Sequence, residues 1–438
     1  MDVNNLFTDL LHAGLNYRYS AENWARVAQY PGHPYPSPSY EFQVNGQPAG
    51  IAELIQPPLK PVVITLRETQ ELEQLAKIYT RLIEQIFKAL KLIKQNQLAF
   101  PTELEGVISF PEWRDFDYET GYRRVMPIIR LDCLKTERGF QVVDINTTRP
   151  AGVGDNIVLN HFFTQQSNRF QIEDLFIAMV SRCFRQWFAT QSRWAAREIL
   201  FLLADQYNDF ANFEILAESI NKRYGAIANV SDNADVATFR HDCIIRGRIK
   251  EGMPHHLKLE ELRIFGQCII SPMHRRFLGS KIWPYLLAKN RLGIADMVPN
   301  ELTRLTAGQV GLVTGEMVDF GNNSLNLSSL DHEHWLAKPI NGSSGHGIVF
   351  GFQCSKNKWL RRVAQIPGRV VIEQYSPCSE TLVVAGPNGE PTERELYTKY
   401  GVFILNGKLS GVEVMARPSP LVHGARDTYI GTCITPPK

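Results

Sequence analysis

Two short segments on either side of residues 137–139 carry polar side chains that could act together. The segments VMPIIRLDC (125–133) and FQVVDIN (140–146) alternate polar and apolar residues, as strands with one buried face do. A three-residue loop, 137–139, would join them as a hairpin, because Gly139 accepts the left-handed backbone conformation that such loops need. This register predicts three facing pairs: Thr136 with Phe140, Asp132 with Asp144, and Arg130 with Asn146.

One face of this hairpin is predicted to be polar. Arg130, Asp132, Asp144 and Asn146 share it because side chains alternate along strands, and the residues between them are apolar. Two facing carboxylates repel each other unless a cation lies between them. Carboxylate and amide oxygens are ligands that Mg²⁺ prefers. The pattern favours a magnesium site, but the spacing alone leaves open a solvated hairpin face on which Arg130 neutralises one aspartate.

A second candidate site is a glycine-rich loop that follows a lysine. In LAKPINGSSGHGIVFGF (336–352), Lys338 ends a predicted strand and residues 342–347 form a loop of small residues. Backbone N–H groups and hydroxyls of such loops can close over phosphates, and the lysine adds a point charge. The spacing matches neither a P-loop nor a dinucleotide-binding fingerprint, and a strand rather than a helix follows. A mobile hairpin turn is the alternative.

Two features further along the chain could complete a nucleotide site. The segment VVIEQYSPCSE (370–380) reads as a strand that runs into a polar segment, as a hinge that offers backbone groups to a base would. An ordinary strand end is the alternative. The segment GVEVMARPS (411–419) reads as a strand that ends at Arg417, and a lone arginine there is also typical of a surface salt bridge.

The elements around these segments are predicted from hydrophobic periodicity. Apolar residues at spacings of three and four predict a long helix over 66–97, with Thr69 and Glu71 near its start. A strand, a loop (205–210), a helix and a strand are predicted over 199–230. Two more segments read as helical and one as rich in strands: 171–190, 280–308 with a break before Pro299, and 334–438.

Together these features resemble the ATP-grasp superfamily over residues 125–156 and 280–438. In that superfamily the lysine strand and the glycine-rich loop usually precede the metal-ligand strands, whereas here the hairpin comes about 200 residues earlier. This order is similar to the circularly permuted branch, which includes glutathionylspermidine synthase and bacterial carboxylate–amine ligases. The segment RLDCLKTERGFQVVDINTTRPAGVGD (130–155) resembles the Arg-x-Asp, acid-x-Asn and Pro-x-Gly pattern of that branch, with Asp144 where glutamate is usual.

The resemblance implies a role for each candidate residue. Asp132, Asp144 and Asn146 would hold two Mg²⁺ ions that bridge the ATP phosphates. Arg130 would stabilise the transferring phosphoryl group, and Arg417 would be a second catalytic cation. The remaining residues would contact ATP. The lysines and the loop would contact its phosphates, residues 373–375 its adenine, and Glu380 its ribose. These residues are Lys289, Lys338, Gly342, Ser343, Ser344, Gly345, Gly347, Glu373, Gln374, Tyr375, Glu380 and Lys399.

The implied fold class is α+β. The resemblance implies an ATP-grasp fold in circularly permuted order, with two α+β subdomains that enclose ATP and a small α/β domain. Four regions are expected: an N-terminal arm and helical region (1–124), a permuted ATP-grasp portion with the metal hairpin (125–195), the small α/β domain (196–279), and the ATP-grasp portion with the lysine strand, the loop and the hinge (280–438).

Composition excludes several classes of protein. The chain of 438 residues is 44% hydrophobic and 21% charged, which is enough to bury a sizeable core. A net charge of +2 gives no electrostatic case for a nucleic-acid or membrane-surface partner. The seven scattered cysteines support neither a disulfide framework nor a zinc site, and the first twenty residues lack a secretory signal. A cytoplasmic protein is expected.

The resemblance implies an ATP-dependent ligase that joins a carboxylate to an amine through an acyl phosphate. Its cofactors would be ATP and Mg²⁺, and its partners a small-molecule carboxylate and amine, with an amino acid or small peptide among them. An ATP-dependent phosphotransferase and a non-catalytic ATP-binding regulator are the alternatives. The presence of Arg130 beside all three metal-ligand types argues against the regulator, because a pure binder can dispense with a residue that acts on the transferring group.

Overall fold

The computed structural model has a mixed α+β architecture. It describes residues 39–44, 47–53, 58, 60–99, 102–104, 128–147, 152–163, 170–187, 198–203, 206–238, 240–247, 249, 253–264, 268–270, 278–288, 310–320, 323–341, 347–375, 378–385, 391–422 and 428–435. The helices of this part of the chain are α1 (Leu66–Lys94), α2 (Val153–Phe163), α3 (Ile172–Trp187), α4 (Gln206–Tyr224), α5 (Pro254–Ile264), α6 (Trp283–Ala288) and α7 (Lys356–Ala364). None of the helices described is both long enough and apolar enough to cross a membrane.

The strands of the described residues form four sheets. A two-stranded sheet pairs β1 (Ser39–Val44) with β2 (Gln47–Glu53). The largest sheet has seven strands in the order β3-β19-β18-β17-β4-β5, with β16 also on β17. Its strands are β3 (Val62–Val63), β4 (Ile128–Thr136), β5 (Gly139–Asn146), β16 (Ser379–Ala385), β17 (Pro391–Leu405), β18 (Lys408–Arg417) and β19 (Tyr429–Ile434).

Helix α1 covers one face of the seven-stranded sheet. Its buried side packs in one core with Leu131, Val402, Val412 and Val414, the apolar face of the central strands. The helix begins at a capping box in which Thr65 and Glu68 bind each other's backbone N–H groups. The predicted start of this helix at residue 66 is confirmed, whereas its predicted end at residue 97 lies three residues beyond the observed end at Lys94. The other face of the sheet packs partly on α2 and α3, through residues that include Phe403 and Leu405.

The predicted hairpin is present as β4 and β5, with a different turn. Asp132 faces Asp144 and Arg130 faces Asn146, as predicted. Thr136, however, faces Gly139 rather than Phe140, so the turn has two residues, 137 and 138. A bulge between Asp132 and Cys133 absorbs the one-residue difference and restores the predicted register of the polar pairs.

A six-stranded antiparallel sheet carries the lysine strand, in the order β12-β11-β10-β15-β13-β14. Helix α7 closes one face of this sheet through the buried side chains of Trp359 and Val363. The strands are β10 (Val310–Thr314), β11 (Met317–Asp319), β12 (Ser324–Asn326), β13 (Trp335–Pro339), β14 (Val349–Phe350) and β15 (Val370–Gln374).

A parallel four-stranded sheet, in the order β7-β6-β8-β9, forms the third unit. Its strands are β6 (Glu198–Leu202), β7 (Ile227–Ser231), β8 (Cys243–Arg246) and β9 (Ile269–Ile270). The predicted strand–helix–strand order is present, but α4 already begins at Gln206, so the predicted loop over 205–210 is mostly helix. Of the helix predicted over 280–308, the structure describes α6 and the turn before it, whereas 289–308 lie outside the described residues.

Candidate functional site

Asp132 lies at the centre of a charged cluster on the polar face of the hairpin. Its Oδ1 accepts a hydrogen bond from Arg130 Nε at 2.9 Å, and its Oδ2 accepts one from Lys399 Nζ at 2.7 Å. Burial alone would raise the pKa of Asp132, but Arg130 and Lys399 outweigh it and lower this pKa to about 2. The carboxylate is therefore ionised at any physiological pH, with a cation on each oxygen.

Arg130 also approaches a second carboxylate, Glu413 on β18. The distance from Arg130 Nη1 to Glu413 Oε1 is 3.7 Å, and the Glu413 side chain is only 2% exposed. Gly401 pairs with Asp132 on one side and with Glu413 on the other. Burial raises the pKa of Glu413 to about 7 although Arg130 opposes that shift. Sequence reasoning missed Glu413, because only the order of the strands brings it beside Arg130.

The raised pKa of Glu413 predicts a pH-dependent stability. The folded state keeps the proton up to about pH 7, whereas the ordinary glutamate value is 4.5, so wild-type stability should fall as the pH rises between these values. Glu413→Gln removes this dependence. The difference in unfolding free energy between the variant and wild type should therefore increase in favour of the variant by about 3 kcal/mol between pH 4.5 and 8. Urea denaturation at the two pH values measures this difference.

The exposed Glu393 on β17 provides the matched control for this prediction. Glu393→Gln, which removes a carboxyl from a solvent-exposed position, should not reproduce the change expected of Glu413→Gln. A Glu413→Gln variant that keeps a constant difference from wild type would show that Glu413 titrates near its ordinary value.

A small cleft lies between β5 and the six-stranded sheet. Charged side chains from both sides line it: Asp144 from β5, Lys338 from β13, Glu373 from β15, and Lys281. Lys338 Nζ donates to the backbone oxygen of Val143 at 2.9 Å and forms a buried ion pair with Glu373. Burial raises the pKa of Glu373, although Lys338 opposes that shift. Lys338 therefore joins the hairpin and the lysine strand across the cleft.

Lys281 is a cleft residue that sequence reasoning missed. Its Nζ lies 3.1 Å from Asp144 Oδ1, and its backbone N–H donates to the oxygen of Ile340 at 2.9 Å. The sequence contains a signal for this position, because Pro284 is tolerated in the first turn of a helix and so marks the start of α6. Lys281 thus precedes that helix. The predicted ATP lysine, Lys289, lies outside the described residues.

The predicted hinge residues, 373–375, end β15 beside an aromatic cluster. The Tyr375 ring lies edge-on to Phe350, with centroids 4.9 Å apart, and parallel to Phe352 at 5.9 Å. The Tyr375 backbone N–H donates to His334, and Gln374 pairs with Trp335. These residues border the cleft through Glu373, while the Tyr375 side chain packs away from solvent.

Two predicted residues lie away from the charged cluster. Glu380 forms an ion pair with Lys135 at 3.0 Å and accepts a hydrogen bond from the hydroxyl of Tyr400. The Tyr400 side chain lies on the face of the sheet that α1 covers. Strand alternation puts that face opposite the one that carries Asp132. Arg417 shares the face of Glu413, four residues away on β18, and its Nη1 donates to the oxygen of Leu421 at 2.7 Å.

The glycine-rich loop is described only at its end. Gly347 has a φ of +79° and lies against Pro339, to which an added Cβ would come within 3.1 Å. The other predicted loop residues lie outside the described part of the chain: Gly342, Ser343, Ser344 and Gly345.

The hairpin residues fit a magnesium ion that substrate oxygens help to bind. Asp132 and Asp144 face each other and Asn146 adjoins them, so that two carboxylates and one amide oxygen belong to the same polar face. No group of three or more His, Cys, Asp or Glu suited to a metal occurs among the described residues. Mg²⁺ commonly takes one or two carboxylates and completes its shell with water and phosphate, so this donor set suits it.

Comparison with known proteins finds solved structures of similar fold. No protein-family profile matches the chain, and no curated protein matches it. It is similar to the structure of a glutathione synthetase-like effector from Globodera pallida, with 12% identity, a TM-score of 0.50, and coverage of 100% of this chain and 98% of that chain. A structure from Methylobacillus flagellatus KT, provisionally named a gamma-glutamylcysteine synthetase, aligns with 13% identity, a TM-score of 0.39, and coverage of 84% and 86%.

The effector structure shows that this mixed α+β fold occurs in a synthetase-like protein along the whole chain. At such low identity the likeness shows the fold alone.

Proposed function

We propose that this protein is an ATP-grasp ligase of circularly permuted order, which joins a carboxylate to an amine and releases ADP and phosphate. The observation that carries the proposal is the charged cleft, where Asp144, one of the two facing aspartates of the hairpin, lines the same space as Lys338 of the lysine strand. Its similarity in fold to a glutathione synthetase-like protein supports a ligase of the peptide-forming kind. The permuted order is supported by the position of the metal hairpin, which precedes the lysine strand in sequence.

The cations around the cleft suit phosphoryl transfer to a carboxylate. Charge spreads over the oxygens of the transferring group, and positioned cations stabilise it. Lys338 and Lys281 would bind phosphate oxygens from the cleft, and Arg130 would bind the transferring group from the hairpin. Lys399 would keep the Asp132 carboxylate oriented. Mg²⁺, held by Asp132, Asp144 and Asn146, would neutralise phosphate charge when bound.

Lys281 provides a test that the sequence did not suggest. Lys281→Met should weaken the binding of Mg-ATP about 3- to 10-fold, because one partly solvated cation is lost from the phosphate site. Isothermal calorimetry measures this change. Lys222→Met, at an exposed helix lysine of the parallel-sheet unit, is the matched control. Equal affinities for the three proteins would remove Lys281 from the nucleotide site.

The reaction itself is tested by release of ADP and phosphate from Mg-ATP, with amino acids, dipeptides and amines offered singly and in pairs. The proposal predicts release that requires a pair, and a product whose mass is the sum of the two less one water. Release with a single compound that gains one phosphoryl group would instead establish the phosphotransferase. Tight Mg-ATP binding without release on any pair would contradict a ligase for these substrate classes.

A further inference from the structure

Glu413 is a buried acid that lies beside Arg130, but the proposed reaction does not use it. It shares a sheet face with Asp132, because both pair directly with Gly401 from opposite sides. Gly401 leaves room between them, and Arg130 fills that room. A Cβ added at Gly401 would lie 3.1 Å from Arg130 Cδ and 3.2 Å from Glu413 Oε1. The absence of a side chain at position 401 therefore lets the guanidinium reach between two carboxylates.

The two carboxylates hold Arg130 unequally. Asp132 receives a hydrogen bond from Arg130 Nε at 2.9 Å, whereas Glu413 Oε1 lies 3.7 Å from Nη1, beyond hydrogen-bond range. Glu413 Oε1 is buried and has no hydrogen-bond partner among the residues described. Its side chain is thus placed to accept a guanidinium hydrogen bond that it does not yet make.

If Asp132 held Mg²⁺, Arg130 would depend on a different partner. A divalent ion on the Asp132 carboxylate would compete with Arg130 for the same oxygens and repel its charge. We propose that Glu413 is a positioning residue, which holds the Arg130 guanidinium across Gly401 when Asp132 binds Mg²⁺. This inference rests on the proposed function and explains why a buried acid lies outside the metal-ligand set.

The test is the Mg²⁺ dependence of AMP-PNP binding to the full chain, measured by calorimetry at pH 8. Without Glu413, the ion pair with Asp132 alone would hold Arg130, and Mg²⁺ would have to displace Arg130 from that carboxylate. Glu413→Gln should therefore raise the half-saturating Mg²⁺ concentration at least threefold, with no loss of melting temperature. Glu413→Asp keeps the charge and should restore part of the change. Affinity for AMP-PNP without Mg²⁺ should stay the same.

Two further variants keep the test decisive. Asp242→Asn removes a buried carboxyl that accepts the Glu198 backbone N–H in the parallel-sheet unit, and its Mg²⁺ dependence should equal that of wild type. Gly401→Ala probes the same geometry if Glu413→Gln does not fold. It adds a methyl group in the path of Arg130 and should raise the Mg²⁺ requirement in the same direction.

The outcomes separate this inference from the proposed function. If Glu413→Gln folds and its Mg²⁺ dependence is unchanged, the positioning role is overturned. If Glu413→Gln does not fold, an unchanged Mg²⁺ dependence in Gly401→Ala overturns it. In either case, AMP-PNP binding by the wild-type protein still supports the nucleotide site. A lower melting temperature with unchanged Mg²⁺ dependence makes Glu413 a structural residue and overturns it too. A wild-type protein that binds no AMP-PNP overturns both.

Discussion

Asp144→Asn should abolish Mg²⁺-dependent turnover and leave the fold intact. The substitution removes one of two facing carboxylates, and the remaining donors cannot hold the metal charge against the phosphates. A fall in kcat of at least about 100-fold is expected, equivalent to roughly 2.7 kcal/mol of transition-state stabilisation. The rate of ADP release with an accepted substrate pair measures it.

Stability should change little in Asp144→Asn, for two opposing reasons. The variant loses an ion pair with Lys281 at 3.1 Å, with Asp144 31% exposed, and such pairs are worth about 0–1 kcal/mol. It also relieves the repulsion between Asp144 and Asp132. Asp235→Asn, at an exposed carboxylate of the parallel-sheet unit, should keep full activity. A large fall in melting temperature with activity retained would refute the metal site.

Lys338→Met should have the second-largest effect, on nucleotide affinity. The lysine bridges the cleft, and a hydrogen bond between charged groups is worth about 1.5–3 kcal/mol. The Kd for Mg-ATP should therefore rise about 10- to 100-fold, as measured by calorimetry. The same change leaves Glu373 buried without its cation, which should destabilise the fold by about 3–5 kcal/mol.

A double variant separates these two consequences. Lys338→Met with Glu373→Gln removes both charges of the buried pair, so much of the lost stability should return. The affinity for Mg-ATP should not return, because the cation proposed to bind phosphate is still absent. Recovery of affinity in the double variant, or unchanged affinity in the single one, would show that Lys338 serves only the fold.

The polar pairs of the hairpin could be predicted because strand alternation is a local property. Asp132 and Asp144 face each other in the structure, as the spacing predicted. The loop length was wrong because a two-residue turn with a bulge gives the same register at these positions as a three-residue loop without one. Local sequence does not distinguish the two, because the bulge depends on how β4 packs in the larger sheet.

Contacts between distant strands could not be predicted from the sequence. Strand β4 pairs with β17, so Lys399 reaches Asp132 across more than 260 residues of chain. Glu413 beside Arg130 depends on that same strand order. Glu380, for which the resemblance implied a ribose contact, depends on strand order in the same way: the register of β16 on β17 places it beside Lys135 and Tyr400.

The most direct test of the proposed reaction follows one oxygen atom. An accepted carboxylate substrate, labelled with ¹⁸O in its carboxyl group, is converted with Mg-ATP and the amine, and the released nucleotide and phosphate are analysed by mass spectrometry. Attack of the carboxylate on the γ-phosphorus, followed by amide formation, predicts one ¹⁸O atom in each released phosphate and ADP without label. Label in AMP, or phosphate without label, would contradict an acyl-phosphate ligase.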